Sequence, residues 1–187
     1  MWQVLAIALV LQWRDVGGVP QPTIEQAQSE LARLYRAIGV PVQWDESDRS
    51  AERFPGSRLT IRVIVLPSET GDLRGIADPV MGAAVTTPHG TPVAYAFYRP
   101  VEEEARRFGA SSGVVLACVI AHELGHLLLP VRGHAPTGLM SGFWHRDQFL
   151  RAEQGRLRFL PQEAALIRAR LDGRELQDCC PPLPGAR

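Results

Sequence analysis

His122, Glu123 and His126 stand together in the segment AHELGHLLLPVRGHAPTGLM, residues 121–140. On a helix, residues four apart lie one above the other, so both imidazoles reach one point in space. Imidazole nitrogen is a preferred zinc ligand, and a catalytic zinc takes three protein ligands and keeps a fourth position for water or substrate. Glu123, next to the first histidine, is placed to take a proton from such a water without binding the metal itself. At average usage of His and Glu the pattern arises by chance in about one chain in a hundred of this length. Its setting is more telling than its rarity. Val114, Val115, Leu116, Ala117, Val119, Ile120, Leu124, Leu127 and Leu128 make the surrounding helix apolar on nearly every side, which marks it as buried. A single buried histidine is usually a satisfied core residue. Two at metal spacing with a carboxyl between them are costly to bury without a shared partner. The expectation is one catalytic Zn2+ ion held by His122 and His126, with Glu123 as general base.

A third ligand is then required. His134 lies eight residues beyond His126, past Pro130, which ends the helix, and beside Gly133, which gives the chain freedom to turn back. His145 stands at an expected helix start and His89 is remote in sequence. Glu153 or Glu163 would serve if the ligand were a glutamate on a following helix, although neither has other site-like polar neighbours. His134 is favoured over these four.

HELGH followed by a nearby histidine and then GLM resembles the zinc metallopeptidases called metzincins, nearest to the matrixin and archaemetzincin types. The resemblance is specific over residues 121–144. It implies His122, His126 and His134 as zinc ligands, Glu123 as general base, and Met140 as the methionine of a tight turn beneath the metal. It also implies a zincin-like domain in which an antiparallel edge strand binds an extended peptide, expected within 81–98. The chain departs from the family pattern H-E-x-x-H-x-x-G-x-x-H. Leu129 occupies the glycine position and the third histidine comes two residues late, so Pro130 and Gly133 are expected to reverse the chain through a longer loop. SGFW follows Met140, so no nearby tyrosine offers itself as an auxiliary donor. Trp144 is expected either as a hydrophobic wall of the site or as core.

The elements that must position these residues are legible as patterns. The apolar run MWQVLAIALVLQW reads as a buried first strand; as an export signal it is weak, lacking a basic start and a small-residue cleavage site. WRDVGGVPQP reads as a turn. Thr23 is expected to cap a helix carrying Ile24, Ala27, Leu31, Leu34, Tyr35 and Ile38 and closed by Gly39. Strands are expected at 40–44 and 58–67, with two short ones joined by a turn within 81–98. The segment VEEEARRFG reads as a short helix or link whose three glutamates form a solvated face. Ser111 or Ser112 caps the central helix, and further helices are expected at about 145–154 and 161–172. This order predicts a single α/β (α+β) domain over 1–173, a twisted mixed sheet with a buried active-site helix and C-terminal helices, followed by a Pro-rich tail at 174–187.

The chain has 187 residues, 20 basic and 20 acidic, which is enough for one domain and gives no argument for nucleic acid or an anionic membrane. The N-terminal apolar run is too short to span a bilayer, so no stable membrane insertion is expected. Three cysteines cannot build a disulfide framework: Cys118 reads as a packed core thiol, and Cys179 and Cys180 as a feature of the tail. The expected partner is a peptide or protein substrate. Two other readings stay open: a non-catalytic zinc-stabilised module, against which Glu123 argues, and a metal hydrolase acting on a non-peptide amide.

Overall fold

The computed structural model describes residues 8–45, 59–68, 80–130 and 133–173. Most of the loops expected after the second and third strands, the first seven residues, and Cys179 and Cys180 with the rest of the tail lie outside them. The described residues form one mixed α/β domain of five helices and a five-stranded sheet.

Strand β1 (Leu9–Asp15) takes up the second part of the apolar N-terminal run and continues through Arg14 and Asp15, which the sequence reads as turn; Leu9, Val10 and Leu11 are fully buried. The Asp15 carboxylate accepts hydrogen bonds from the backbone N–H groups of Gly17 (2.9 Å) and Val19 (3.0 Å), which fixes the turn out of the strand. Helix α1 (Gln21–Arg36) begins three residues earlier than the sequence suggests. Pro20 is the cap residue, and Thr23, expected to be the cap, lies in the first turn, where its N–H donates to the Pro20 carbonyl at 2.9 Å. Pro22 is the reason this works: a proline has no N–H to leave unpaired in a first turn. Ala27, Leu31, Leu34 and Tyr35 form the buried face. Gly39, at φ 77°, ends the turn that follows.

Strand β2 (Val42–Asp45) pairs in parallel with β1, which makes β1–α1–β2 a crossover unit. Strand β3 (Thr60–Leu66) pairs in parallel on the other side of β1, with Ile61, Val63 and Val65 buried and the residues between them facing outward. That alternation describes a sheet covered on one face. Strands β4 (Gly82–Thr86) and β5 (Pro92–Phe97) are the two short strands expected within 81–98. β5 lies inside the sheet, parallel to β3, while β4 is antiparallel and closes the order β2-β1-β3-β5-β4 as the edge strand.

Helix α2 (Tyr98–Phe108) follows β5 directly and ends at Gly109, in the left-handed conformation at φ 69°. Helix α3 (Ser112–Leu128) is the apolar helix of the sequence. Fourteen of its 17 residues are buried, so it is enclosed by α1, α2, β4 and β5 rather than laid on a surface. The Tyr35 hydroxyl donates to the Ala121 carbonyl at 3.4 Å, tying α1 to α3 one residue before His122. Cys118 is buried in this interface, and burial pushes its thiol up to about 12, so it is an inert core residue as expected. Helices α4 (Arg146–Glu153) and α5 (Pro161–Leu171) complete the core with Phe149, Ala152, Ile167 and Leu171. No described helix is long and apolar enough to cross a membrane.

Candidate metal centre

His122 and His126 project from the last turns of α3, and His134 comes back to them from the loop beyond it. The ligand nitrogens of the three lie within 4.8 Å of one another, and no other such group of His, Cys, Asp or Glu occurs among the described residues. The Nε2 atoms of His122 and His126 are 3.0 Å apart, and those of His126 and His134 are 3.3 Å apart. The Nδ1 atom of His122 lies 2.8 Å from the Leu139 carbonyl. A carbonyl only accepts, so Nδ1 carries the proton and Nε2 of His122 presents a lone pair. A proton on His126 Nε2 can serve only one of its two neighbours, so ordinary hydrogen bonds do not satisfy this triangle. A cation at its centre does. Tetrahedral zinc with bonds of about 2.0–2.1 Å spaces its nitrogen ligands about 3.3 Å apart, close to what is observed.

The electrostatics agree with that chemistry. Burial pushes His122 down to about 4, with smaller effects from the neighbouring histidines and an opposing one from the Leu139 carbonyl, so the ring is neutral at pH 7. Burial also lowers His126, reinforced by His134. Neutral imidazoles are what a metal requires. Glu123 is only 7% exposed, and burial pushes its carboxyl up to about 8.

The loop that brings His134 back also orients the other groups. Gly133 has φ 146°, a backbone conformation that a side chain would strain. The Ala135 N–H donates to the Met140 carbonyl at 2.8 Å and closes the loop on itself. The peptide between His134 and Met140 thus supplies the third ligand, the Leu139 carbonyl that sets the His122 tautomer, and the Met140 side chain. Met140 is fully buried under the helix at Gly125, where an added Cβ would overlap its Sδ. Two further glycines permit close approach in the same way. A Cβ on Gly82 of β4 would lie 2.8 Å from Cγ and Oε1 of Glu123, and one on Gly142 would lie 2.8 Å from Cγ and Nδ1 of His134. Trp144 stands at the wall of the site: its ring centroid is 6.1 Å from that of His122, and its Nε1–H donates to the Ser141 carbonyl at 3.1 Å.

The rival third ligands are elsewhere. His89 is exposed in the turn between β4 and β5. Glu153 accepts the Ser111 N–H at the start of α3, and Glu163 accepts the Leu160 N–H at the start of α5 (2.7 Å), so both carboxylates are helix caps. His145 lines the same cleft but is outside the group of three. The sequence did not single out Gly82, Gly125, Gly142 or the Leu139 carbonyl. A glycine carries no sequence sign of which side chain it makes room for, and a backbone carbonyl has no sequence signal. Glu104, expected on a solvated face, instead has a side chain 14% exposed and lines the cleft.

No protein-family model matches this sequence, and no curated protein matches it. What stands is therefore the geometry: three histidines placed to hold a metal ion, beside a buried carboxyl, in a cleft of about 610 Å³.

Two predictions follow from the packing and the burial. Alanine in place of glycine normally stabilises a helix interior by up to about 1 kcal/mol. Gly125→Ala should instead destabilise by about 1–3 kcal/mol in chemical denaturation, because the added Cβ would overlap the fully buried Met140 side chain and crowd Phe159 Cε1 at 3.2 Å. In the zinc-stripped protein, Glu123 binds its proton more tightly folded than unfolded, so stability is lost as pH rises from its usual 4.5 through about 8. His122 acts oppositely, losing stability as pH falls from its usual 6.5 through about 4. The two oppose each other between 4.5 and 6.5. Thermal melts should therefore show the stripped fold weakening from about pH 6.5 to 8, and Glu123→Gln should flatten that decline.

Proposed function

We propose that the protein is a zinc-dependent metalloendopeptidase with Glu123 as general base. The observation that carries this reading is the buried Glu123 carboxyl in the cleft that His122 and His134 line, where three imidazole nitrogens converge. A structural zinc site is closed and needs no carboxylate next to its first ligand, whereas a hydrolytic one does. Zinc held by His122, His126 and His134 would acidify a water at its open position and polarise the carbonyl to be attacked.

The chain's own residues supply the rest. Leu139 holds the His122 ring in the tautomer that points Nε2 into the site. Glu123 takes a proton from the attacking water on its carboxylate and passes it to the leaving amine. Burial makes this carboxylate a stronger base than an exposed one, while a nearby cation favours its ionised form, so the two effects set a base suited to neutral pH. β4, the edge strand among the described residues, runs past Glu123 at Gly82, and its outer side would take an extended peptide through main-chain hydrogen bonds. An extended main chain laid on a strand edge is the reason to prefer a peptide over a small amide. The histidine set, Glu123 and the Met140 turn are also what the resemblance to metzincins implies.

Glu123→Ala should keep its zinc and lose roughly 10²–10⁴ in hydrolysis rate. The check is zinc content together with cleavage of a random peptide library, read by mass spectrometry. A variant cutting peptides as fast as the parent would overturn the mechanism, and cleavage of small amides in preference to peptides would overturn the substrate class.

A further inference from the structure

The cleft beside the histidines continues past Glu123 toward α2. Its walls there are Met81, Phe108, Val119 and Trp144, all apolar, with Glu104 and Arg107 as the charged residues between them. The two are unequal. The Glu104 side chain is 14% exposed, while that of Arg107 is 69% exposed. They meet at one contact, Arg107 Nη1 to Glu104 Oε1 at 3.3 Å, and the guanidinium otherwise leans over the ring of Phe108, 5.3 Å from its centroid. The other carboxylate oxygen, Oε2, has no partner among the described residues. A single-contact pair with one exposed member holds together weakly and is readily exchanged. The less exposed charge in this part of the cleft is thus negative, one of its oxygens is left to solvent, and its surroundings suit an aliphatic stem ending in a cation.

We propose that Glu104 makes the cleft selective for peptides carrying a basic side chain, Arg or Lys, beside the bond to be cut. The stem would lie along Phe108, Val119 and Trp144, and the cationic head would take Oε2 of Glu104 in a charge-assisted hydrogen bond. Arg107 holds the carboxylate in the free protein and yields to the substrate. The inference rests on the peptidase reading for its meaning, but its test reads binding alone.

The experiment uses zinc-loaded protein carrying Glu123→Gln to suppress turnover. Fluorophore-labelled Gly/Ala pentapeptides with a central Arg, Leu or Glu are titrated by fluorescence anisotropy. The Arg peptide should bind about tenfold tighter than the other two. Adding Glu104→Gln should remove that preference while leaving the Leu peptide's Kd in place. Adding Arg107→Ala should tighten the Arg peptide, because a competitor has gone. Equal binding of the three peptides, preference for the Glu peptide, or no binding at all would overturn the proposal. So would an Arg preference that survives Glu104→Gln or weakens with Arg107→Ala. Cleavage of the same peptides by the parent protein is scored separately. An intact, Glu104-dependent Arg preference without cleavage would reject the peptidase reading and leave the binding site standing.

Discussion

Desolvating two imidazoles and a carboxyl on a helix that is otherwise nearly all apolar is the constraint around which this domain is arranged. His122 and Glu123 are both under 10% exposed, and neither is neutralised by an oppositely charged side chain. Buried groups of this kind persist where something compensates them. For His122 the compensation is visible on one side, the Leu139 carbonyl, and implied on the other, where three Nε2 atoms converge. Glu123 lines the cleft that opens onto the same point.

That constraint explains features that look unrelated in the chain. The loop from Gly133 to Met140 has to reverse direction, present an imidazole, present a carbonyl and seat a methionine, and it does so within eight residues. Gly82, Gly125 and Gly142 lack side chains at the three places where Glu123, Met140 and His134 would otherwise be excluded. The parallel core of the sheet and the α1–α3 packing supply the rigid frame. The antiparallel edge strand β4 passes the carboxyl of Glu123 at Gly82.

The elements were legible because their periodicities are strong. The period-two pattern of Ile61, Val63 and Val65, the helical spacing of Ala27, Leu31 and Leu34, and the apolar run of α3 each reappear as structure. Thr23 is a better cap by propensity than Pro20, yet Pro20 and Pro22 decide where the backbone turns into α1. His122, Glu123 and His126 were legible from spacing alone. His134 was legible as the favoured candidate, but separating it from Glu153 and Glu163 needed the tertiary fact that both glutamates cap helices. Glu104 was misread because a run of three glutamates carries no sign of which one turns inward.

The central claim is that His122, His126 and His134 together hold one zinc ion. Elemental analysis of the purified parent and of His134→Ala, made in parallel, tests it most directly. If the three histidines hold the ion together, the parent carries about one zinc per chain and the variant little. Equal zinc in both proteins, or none in the parent after growth in zinc-supplied medium, would contradict it.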